Sequence, residues 1–428
     1  MANIVISPDI NVKNIKLMHC INGGPLKSKQ NQKDFKEIVF PYMRNHDASF
    51  CESFGGEHIV DITAIFPDFE KDAYDTASYD FVLTDEFISR VISVGGKPFY
   101  RLGQKIEHWS KKYGSNPPKD FKKWAVICEH IIKHYNEGWN EGFNLNIEYW
   151  EIWNEPDNIP ACWTGTLEQY YEMYEITASH LKKCFPQIKI GGAAFAEWSV
   201  DNGEVRRFVE RMSLKNIPID FLSWHTYSRR IEDYKRRDTV VREALDEFGY
   251  TDTESILNEW NYLINWRDGL AESQEKIRSM EGAACVSAVM STMQDASVDM
   301  LMYYFVQPGV WNGVFDFYTE KKLKGYYSLW FFSKLYKLQT QVKSQSDDCD
   351  IYVISAKNSE KFSAIVTYYT YDNNAKEKTV SLDIDMRDGT FLAYMLNEEK
   401  DAELIGEVGS QSVFTINPNS VLYLERKQ

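Results

Sequence analysis

Most of the chain repeats one pattern, a short apolar run followed by a segment with helical spacing of its apolar residues. Eight such units fit into roughly 320 residues, and the apolar runs have the length of strands. This alternation predicts a parallel sheet covered by helices, and eight units favour a closed (β/α)8 barrel over an open sheet. The predicted barrel strands are residues 15–20, a run ending at 43–47, 97–102, 147–153, 189–195, 219–227, 254–261 and 299–306.

The segments between these strands carry helix signals. Residues 121–135 keep the 3.6-residue period of an amphipathic helix. Thr166 and Gln169 form a capping box that begins another helix. Residues 51–80 have weak periodicity and are predicted to be a long loop, of the kind that forms a lid or a pocket wall. The remaining predicted helices are residues 35–42, 85–94, 205–214, 239–248, 272–294 and 326–338.

From about residue 340 the apolar period changes to the alternation of antiparallel strands. Runs at 351–353, 362–366, 380–384, 413–416 and 421–423 are separated by turn signals. We therefore expect a TIM barrel over 13–340 and a C-terminal antiparallel β-sandwich over 341–428. A strand at 3–7 lies outside the barrel count, so residues 1–12 are expected to join the sandwich. The predicted fold class is α/β.

Composition argues against several classes of protein. The net charge of −15 disfavours binding to nucleic acid or to an anionic membrane. Seven cysteines without CxxC spacing predict reduced, mostly buried thiols. The start, MANIVISPDI, lacks a basic and then apolar leader, which predicts a cytoplasmic protein, or a secreted one if a leader has been removed. An exposed sheet edge or barrel helix could support a homo-oligomer.

The stretch IEYWEIWNEPDN, residues 147–158, is typical of a buried strand that ends at polar groups. In a parallel barrel, the carboxyl ends of the strands are where chemistry is held. The apolar strand behind Glu155 would desolvate its carboxyl and raise its pKa, as a general acid requires. Asn154 can donate a hydrogen bond to a substrate hydroxyl. Glu151, four residues before Glu155, is predicted to be a paired structural carboxylate in the barrel interior.

A second carboxylate, Glu259, lies at the end of the seventh predicted strand. Two carboxylates about 5–5.5 Å apart perform retaining glycoside hydrolysis, one as nucleophile and one as acid/base. His225 and Tyr227 lie two residues apart and so face one side of their strand, where Tyr227 could hydrogen-bond to Glu259. The charge of Arg44 would lower the pKa of Glu259. Each helper also has a purely structural interpretation, as a satisfied buried polar group or a salt bridge.

With these residues the sequence resembles the clan A glycoside hydrolases, and among them glycoside hydrolase family 39, the β-xylosidases and α-L-iduronidases. Trp153-Asn154-Glu155-Pro156 resembles the strand-four motif of the clan. That resemblance implies that Glu155 is the acid/base and that Asn154 contacts the 2-hydroxyl beside the scissile bond. Asn258-Glu259-Trp260 resembles the strand-seven motif, which implies that Glu259 is the nucleophile.

Other segments extend the resemblance. Trp224-His225-Thr226-Tyr227 resembles the strand-six segment beside the nucleophile, and Arg44 resembles the arginine that steadies it. Trp311 resembles the aromatic platform under the sugar, although it could equally pack within a loop. His46 and Asp47 could bind substrate hydroxyls or cap a turn. Asp157 and Asn258 stand where the clan commonly has Asn and Thr, which leaves the chemistry intact and the substrate open.

These features predict a retaining, exo-acting glycoside hydrolase that removes terminal sugars from oligosaccharides by double displacement. The resemblance makes a β-xyloside the first expected substrate and requires no cofactor or metal. Exo action is expected because the loop at 51–80 could close one end of the pocket. The 12 Trp and 26 Tyr also suit stacking on the apolar faces of sugars.

Two other interpretations stay open. The first is a barrel that binds carbohydrate without catalysis, and the second is a metal-dependent barrel hydrolase. The ligands available to the second are His19, His46 with Asp47, and His225. His130 and His134 lack the glutamate of an HExxH zinc motif and are interpreted as an ordinary helix face. The sequence contains no GxGxxG, GxxxxGK[ST] or GxSxG motif, so nucleotide binding and a serine-hydrolase elbow are unsupported.

Overall fold

The strands of the protein fall into a closed barrel, a nine-stranded sheet and a small hairpin. The computed structural model describes residues 1–51, 55–386 and 389–427. In chain order the strands in these ranges are β1 (Ala2–Asn14), β2 (Leu17–Asn22), β3 (Tyr42–Arg44), β4 (Ser49–Cys51), β5 (Gly55–His58), β6 (Lys97–Leu102), β7 (Tyr149–Ile152), β8 (Lys189–Phe195), β9 (Phe221–Tyr227), β10 (Glu254–Asn261), β11 (Met300–Tyr303), β12 (Thr340–Ser346), β13 (Ile351–Lys357), β14 (Phe362–Tyr368), β15 (Lys378–Ile384), β16 (Thr390–Leu396), β17 (Asp401–Gly409), β18 (Gln411–Ile416) and β19 (Ser420–Arg426).

The barrel closes in the order β10-β11-β2-β3-β6-β7-β8-β9, and all of its pairs are parallel. The predicted closed barrel of eight parallel strands is therefore confirmed. Helices cover its outside, because a parallel sheet needs an apolar layer on that face. They are α1 (Lys29–Ile38), α2 (Ile62–Ile65), α3 (Val82–Ser93), α4 (Phe121–Glu137), α5 (Leu167–Cys184), α6 (Glu197–Asp201), α7 (Glu204–Leu214), α8 (Ile231–Glu247), α9 (Leu270–Ile277), α10 (Met280–Met293) and α11 (Lys324–Tyr336).

Local caps explain where several helices begin. The predicted capping box is present, because the Thr166 hydroxyl accepts from the backbone of Gln169 and the Gln169 side chain accepts from the backbone of Thr166. The single helix predicted over 272–294 is wrong, since the chain forms α9 and α10 instead. Ser279 adopts an extended conformation between them, and its hydroxyl accepts from the backbone N–H of Glu281. The cap begins a new helix there.

The segment at 51–80, predicted to be a loop without structure, contains defined elements. β5 pairs with β4 as a hairpin, and α2 follows shortly after it. Asp61 Oδ1 accepts from Arg101 Nη2 at 2.6 Å, and Arg101 belongs to β6. This buried ion pair fixes the segment against the carboxyl end of a barrel strand. Residues 52–54 of the predicted loop lie outside the described residues.

The second sheet runs in the order β17-β16-β19-β14-β13-β12-β1-β15-β18. Its pairs are antiparallel except for β1 and β15, which are parallel. Ile4, Ile6, Val366 and Leu424 are buried in one apolar cluster inside this sheet. The fold class, a TIM barrel followed by a C-terminal β-sandwich, is confirmed. The exact domain boundaries at residues 12 and 340 stay predictions.

Two findings concern the cysteines and the membrane. Cys20, Cys128, Cys162 and Cys285 are buried free thiols, as the sequence predicts, whereas Cys184 and Cys349 are exposed. The side chain of Cys51 lies outside the described part of the chain. Among the described residues, the helices lack the length and apolar character needed to cross a membrane.

Candidate active site

The carboxyl ends of β7, β9 and β10 bring the two predicted carboxylates to one imidazole. His225 Nδ1 lies 2.8 Å from Glu155 Oε1 and 3.5 Å from Glu259 Oε2. One oxygen of each carboxylate and the ring nitrogen all lie within 4.8 Å of one another. The Glu155 and Glu259 side chains are only 14% and 7% exposed. The two carboxylates therefore face each other across a short, largely dry gap.

The chain bends sharply to deliver Glu155 to this gap. Glu155 follows the end of β7 and has a φ of 46°, and Trp153 just before it has a φ of 73°. Such left-handed values are uncommon for residues other than glycine and cluster at functional sites. The backbone N–H of Glu155 donates to the carbonyl of Ala194 at 3.1 Å, which ties the bend to β8. The strand end is thus held in a turn that an ordinary loop would avoid.

Arg44 links most of the polar groups in the barrel mouth. Its side chain is fully buried, and it donates to Glu151 Oε2 at 2.7 Å, Glu259 Oε1 at 2.7 Å and Asn154 Oδ1 at 2.6 Å. Burial alone would lower the pKa of Arg44, but the charges of Glu151 and Glu259 raise it above its usual value. The bond from Arg44 to the Asn154 oxygen fixes the orientation of the Asn154 amide.

Glu151 is a paired carboxylate in the barrel interior, as the sequence predicts. It is fully buried, and its Oε1 accepts from Ser223 Oγ at 2.6 Å and from Asn258 Nδ2 at 2.5 Å. Its Oε2 accepts from Arg44. All of its contacts hold other side chains in place, which makes it a support for the site.

Tyr227 connects Glu259 to an aromatic wall. Its hydroxyl donates to Glu259 Oε2 at 2.8 Å, and burial together with the Glu259 charge raises the pKa of Tyr227 well above its usual value. The Tyr227 ring lies 5.3 Å from the half-buried Trp311 ring and 5.1 Å from Trp266. Trp266 is 45% exposed and donates to Glu197 at 2.5 Å. Trp266 and Glu197 were not predicted, although a Trp just after a site strand was a usable signal.

His46 and Asp47 lie beside the same carboxylates. His46 Nδ1 accepts from Arg101 Nε at 3.1 Å, so the ring hydrogen is on Nε2, which is 3.9 Å from Glu259 Oε1. Burial holds the pKa of His46 well below its usual value, so the ring is neutral. Burial and the charge of Glu259 raise the pKa of Asp47 to about 7. Both side chains can offer hydrogen-bond donors to a ligand near neutral pH.

The expected raised pKa of Glu155 is wrong. Burial does raise it, but a hydrogen bond and charge from His225, a bond from Asn158 and the charge of Arg44 bring the pKa of Glu155 below its usual value. His225 shifts the other way. Burial lowers its pKa, yet the charges of Glu259 and Glu155 raise it above its usual value. His225 thus lies between two carboxylates whose charges favour its protonated form.

The same arrangement bears on metal binding. The protonated form of His225 has no lone pair to offer a metal, and its Nδ1 lies 2.8 Å from Glu155 Oε1. His19 lies elsewhere, packed against the rings of Phe332 and Tyr336, and burial lowers its pKa to about 3. His134 stacks on Phe81 along the α4 face, as expected for an ordinary helix residue. Glu155, His225 and Glu259, however, bring one possible ligand atom each within 4.8 Å of one another, so this group could hold a metal ion.

Several known proteins are similar to this chain in sequence or in fold. A β-xylosidase from Geobacillus stearothermophilus is 25% identical over 222 residues, which cover 49% of this chain and 40% of that protein. The chain thus spans about two fifths of the length of the curated relatives it matches. A glucosidase structure from Croceicoccus marinus matches with a TM-score of 0.83 at 20% identity, covering 100% of this chain and 99% of the other.

The structure of a GH39 β-xylosidase from Caulobacter crescentus matches with a TM-score of 0.73 at 16% identity, covering 100% of both chains. At these identities the structural matches show a shared fold. The model of the glycosyl hydrolases family 39 matches residues 9–247, which is more than half of the sequence. The chain belongs to glycosyl hydrolase family 39.

Proposed function

We propose that this protein is a retaining, exo-acting glycoside hydrolase that releases terminal sugars from oligosaccharides, with a β-xyloside as its substrate. The observation that carries the proposal is the pair Glu155 and Glu259, with an oxygen of each within 4.8 Å of the other. Retaining enzymes hold their carboxyl groups about 5–5.5 Å apart, and inverting enzymes about 6.5–9.5 Å apart. The short gap supports direct attack by a carboxylate, because an inverting enzyme needs room for a water.

In the first step Glu259 attacks the anomeric carbon and forms a glycosyl ester. Arg44 and Tyr227 donate to its two oxygens, which fixes the direction of attack. The leaving oxygen takes its proton from Glu155, which shares one proton with His225 along the 2.8 Å hydrogen bond. A bound sugar removes remaining water from Glu155 and strengthens the burial effect that raises its pKa. Protonated Glu155 then acts as the acid.

In the second step Glu155 acts as the base. It takes a proton from a water that attacks the anomeric carbon, and the bond to Glu259 breaks. The Asn154 amide donates to the 2-hydroxyl, a contact that strengthens as the sugar ring gains positive charge. Glu155 therefore regains its proton and Glu259 is again a free carboxylate when the sugar leaves.

The exo mode and the sugar rest on separate supports. The segment of the β4–β5 hairpin and α2 is anchored by Asp61 to Arg101, which also donates to His46. This anchor supports a wall on the His46 side of the pocket and hence a site for chain ends. The relatives matched over part of this chain in Geobacillus stearothermophilus and Caldicellulosiruptor saccharolyticus are β-xylosidases, which supports a β-xyloside.

A panel of aryl glycosides tests the proposal. We expect turnover of the β-xyloside above that of the β-glucoside and the α-L-arabinofuranoside, and activity that survives EDTA. Loss of activity to EDTA would favour the metal-dependent alternative. Absence of turnover on the whole panel, with sugar still binding, would favour the carbohydrate-binding alternative.

Covalent trapping then tests the roles. The 2-deoxy-2-fluoro analogue of the best substrate should leave an adduct on the peptide of Glu259. The variant Glu259→Ala should bind sugar without turnover. Glu254→Gln is the matched control, because Glu254 belongs to the same strand but pairs with Lys189 at its opposite end. An adduct on another residue would overturn the assignment.

A further inference from the structure

A second group of metal-ligating side chains lies on the outside of the barrel, between α4 and α5. Glu129 belongs to α4, and His180 and Cys184 belong to α5. His180 Nε2 lies 2.6 Å from Glu129 Oε2 and 3.9 Å from Cys184 Sγ. One donor atom of each residue lies within 4.8 Å of the others. We propose that these three side chains form a zinc-binding site.

The geometry is close to that of a three-ligand zinc centre. His180 and Cys184 are four residues apart on one helix and so lie on the same face. With zinc–nitrogen bonds of about 2.0–2.1 Å and zinc–sulfur bonds of about 2.3 Å, a tetrahedral site places nitrogen and sulfur about 3.6 Å apart. The observed 3.9 Å is near this value. The Glu129 carboxylate needs only to swing away from His180 to admit the ion between them.

The donor set selects the class of ion. Imidazole, thiolate and carboxylate together suit zinc, whereas magnesium and calcium prefer oxygen ligands alone. Binding converts the Cys184 thiol to a zinc-bound thiolate and releases one proton to solvent, while His180 binds through the lone pair of its neutral ring. Because Cys184 is exposed, a water can complete the four-coordinate shell.

A neighbouring cation orients the carboxylate. Lys133 Nζ donates to Glu129 Oε1 at 2.5 Å, which leaves Oε2 directed at His180. Contacts behind a ligand of this kind fix its direction and support metal affinity. Since α4 and α5 precede and follow β7 in the chain, an ion bridging them would brace the strand that leads to Glu155.

Another cluster provides an internal comparison. Asp348, Cys349 and Asp350 also place donor atoms within 4.8 Å of one another. There the ammonium group of Lys378 bridges both carboxylates, at 2.6 Å from Asp348 and 2.8 Å from Asp350, and the cluster contains no imidazole, whereas Lys133 contacts Oε1 of Glu129 and leaves Oε2 to His180. Cys349 is exposed like Cys184, which makes Cys349→Ser a matched control.

The experiment titrates zinc chloride into chelator-treated, full-length protein by calorimetry, and follows cobalt substitution by its thiolate-to-metal absorption band. We expect one zinc per chain, a cobalt–thiolate band and a raised melting temperature. Cys184→Ser and His180→Gln should each weaken zinc binding more than about tenfold and abolish the rise in melting temperature. Cys349→Ser and a change at the exposed His108, His108→Gln, should bind zinc like the unaltered protein.

Circular dichroism of the metal-free variants shows whether they are folded, and exposed Cys184 should tolerate serine. Unchanged zinc binding by Cys184→Ser, loss of binding by Cys349→Ser, or no binding and no cobalt band in the unaltered protein would each overturn the proposal. Because none of these measurements reads glycoside turnover, the result is independent of the proposed function.

Discussion

Replacing Arg44 by methionine should destabilise the fold strongly at neutral pH and less in acid. Arg44 is fully buried, and its guanidinium donates to Glu151 and Glu259, both at 2.7 Å. Methionine has a similar length without the charge, so two carboxylates would stay buried with no arginine between them. Removing one partner of a buried ion pair costs about 3–5 kcal/mol, because the other charge is left uncompensated. Protonation of a buried carboxylate removes its charge, so that cost should shrink as the pH falls.

Urea unfolding followed by tryptophan fluorescence measures the effect at pH 7.5 and pH 5. With a slope of about 3 kcal/mol per molar urea, the midpoint of Arg44→Met should fall by about 1–2 M at pH 7.5 and by less at pH 5. The double variant Arg44→Met/Glu151→Gln should recover part of the loss, since it removes one uncompensated charge. Arg206→Met is the control, because Arg206 pairs with Glu247 at the surface. A midpoint for Arg44→Met equal to the control, or a loss independent of pH, would refute the reasoning.

Three further predictions concern the electrostatics of the site. Tyr227→Phe removes a hydrogen bond to the Glu259 carboxylate worth about 1.5–3 kcal/mol, so kcat/KM should fall about 10- to 150-fold, and a loss below about threefold would contradict that role. The pKa of His225 is raised by folding, so its stabilising effect is complete below the unfolded value of about 6.5 and is lost as the pH rises through the folded pKa. The pKa of Glu155 is lowered, so its effect is present above the unfolded value of 4.5 and is lost as the pH falls through the folded pKa. The urea midpoint should therefore be highest between the unfolded pKa values of Glu155 and His225, and it should decline at lower and at higher pH. The variant Glu155→Gln should weaken the decline at high pH. An identical decline at high pH in the variant would argue against the interaction of Glu155 with His225. Trapping Glu259 as a glycosyl ester removes a like charge beside Glu155 and should lower the pKa of Glu155, which carbon NMR of labelled glutamate carboxyls can measure, and an unchanged pKa would count against the coupling.

The barrel could be predicted because its signals are local. Each barrel strand is an apolar run with polar residues close by, and caps such as Thr166 mark helix starts within a few residues. β17 was missed for the opposite reason, since it is exposed along nearly all of its length and so has no apolar period to detect. The break at Ser279 was missed because the residues on both sides are good helix formers. Whether Ser279 caps a new helix or continues the old one depends on tertiary packing, which the local sequence does not report.

The positions of the site residues could be predicted better than their electrostatics. Arg44, Glu155, Tyr227 and Glu259 lie at or just beyond strand ends of one barrel, so its closure brings them together regardless of their separation in sequence. The direction of the Glu155 pKa could not be predicted, because apolar neighbours along a strand report burial only. The opposing charge comes from His225 on another strand, and its distance is fixed only when the barrel closes.

That charge matters for the two roles proposed for Glu155. A carboxyl whose pKa is raised by burial alone would be a good acid in the first step and would remain protonated when a base is needed. With His225 beside it, the balance changes during the reaction. Glycosylation of Glu259 removes the charge that most raises the pKa of His225, and the proton has already gone to the leaving group. The same change removes a negative charge whose oxygen lies within 4.8 Å of Glu155, and the loss of a like charge favours the ionised carboxylate. Glu155 is therefore left ionised and able to accept a proton from water at the step that requires a base.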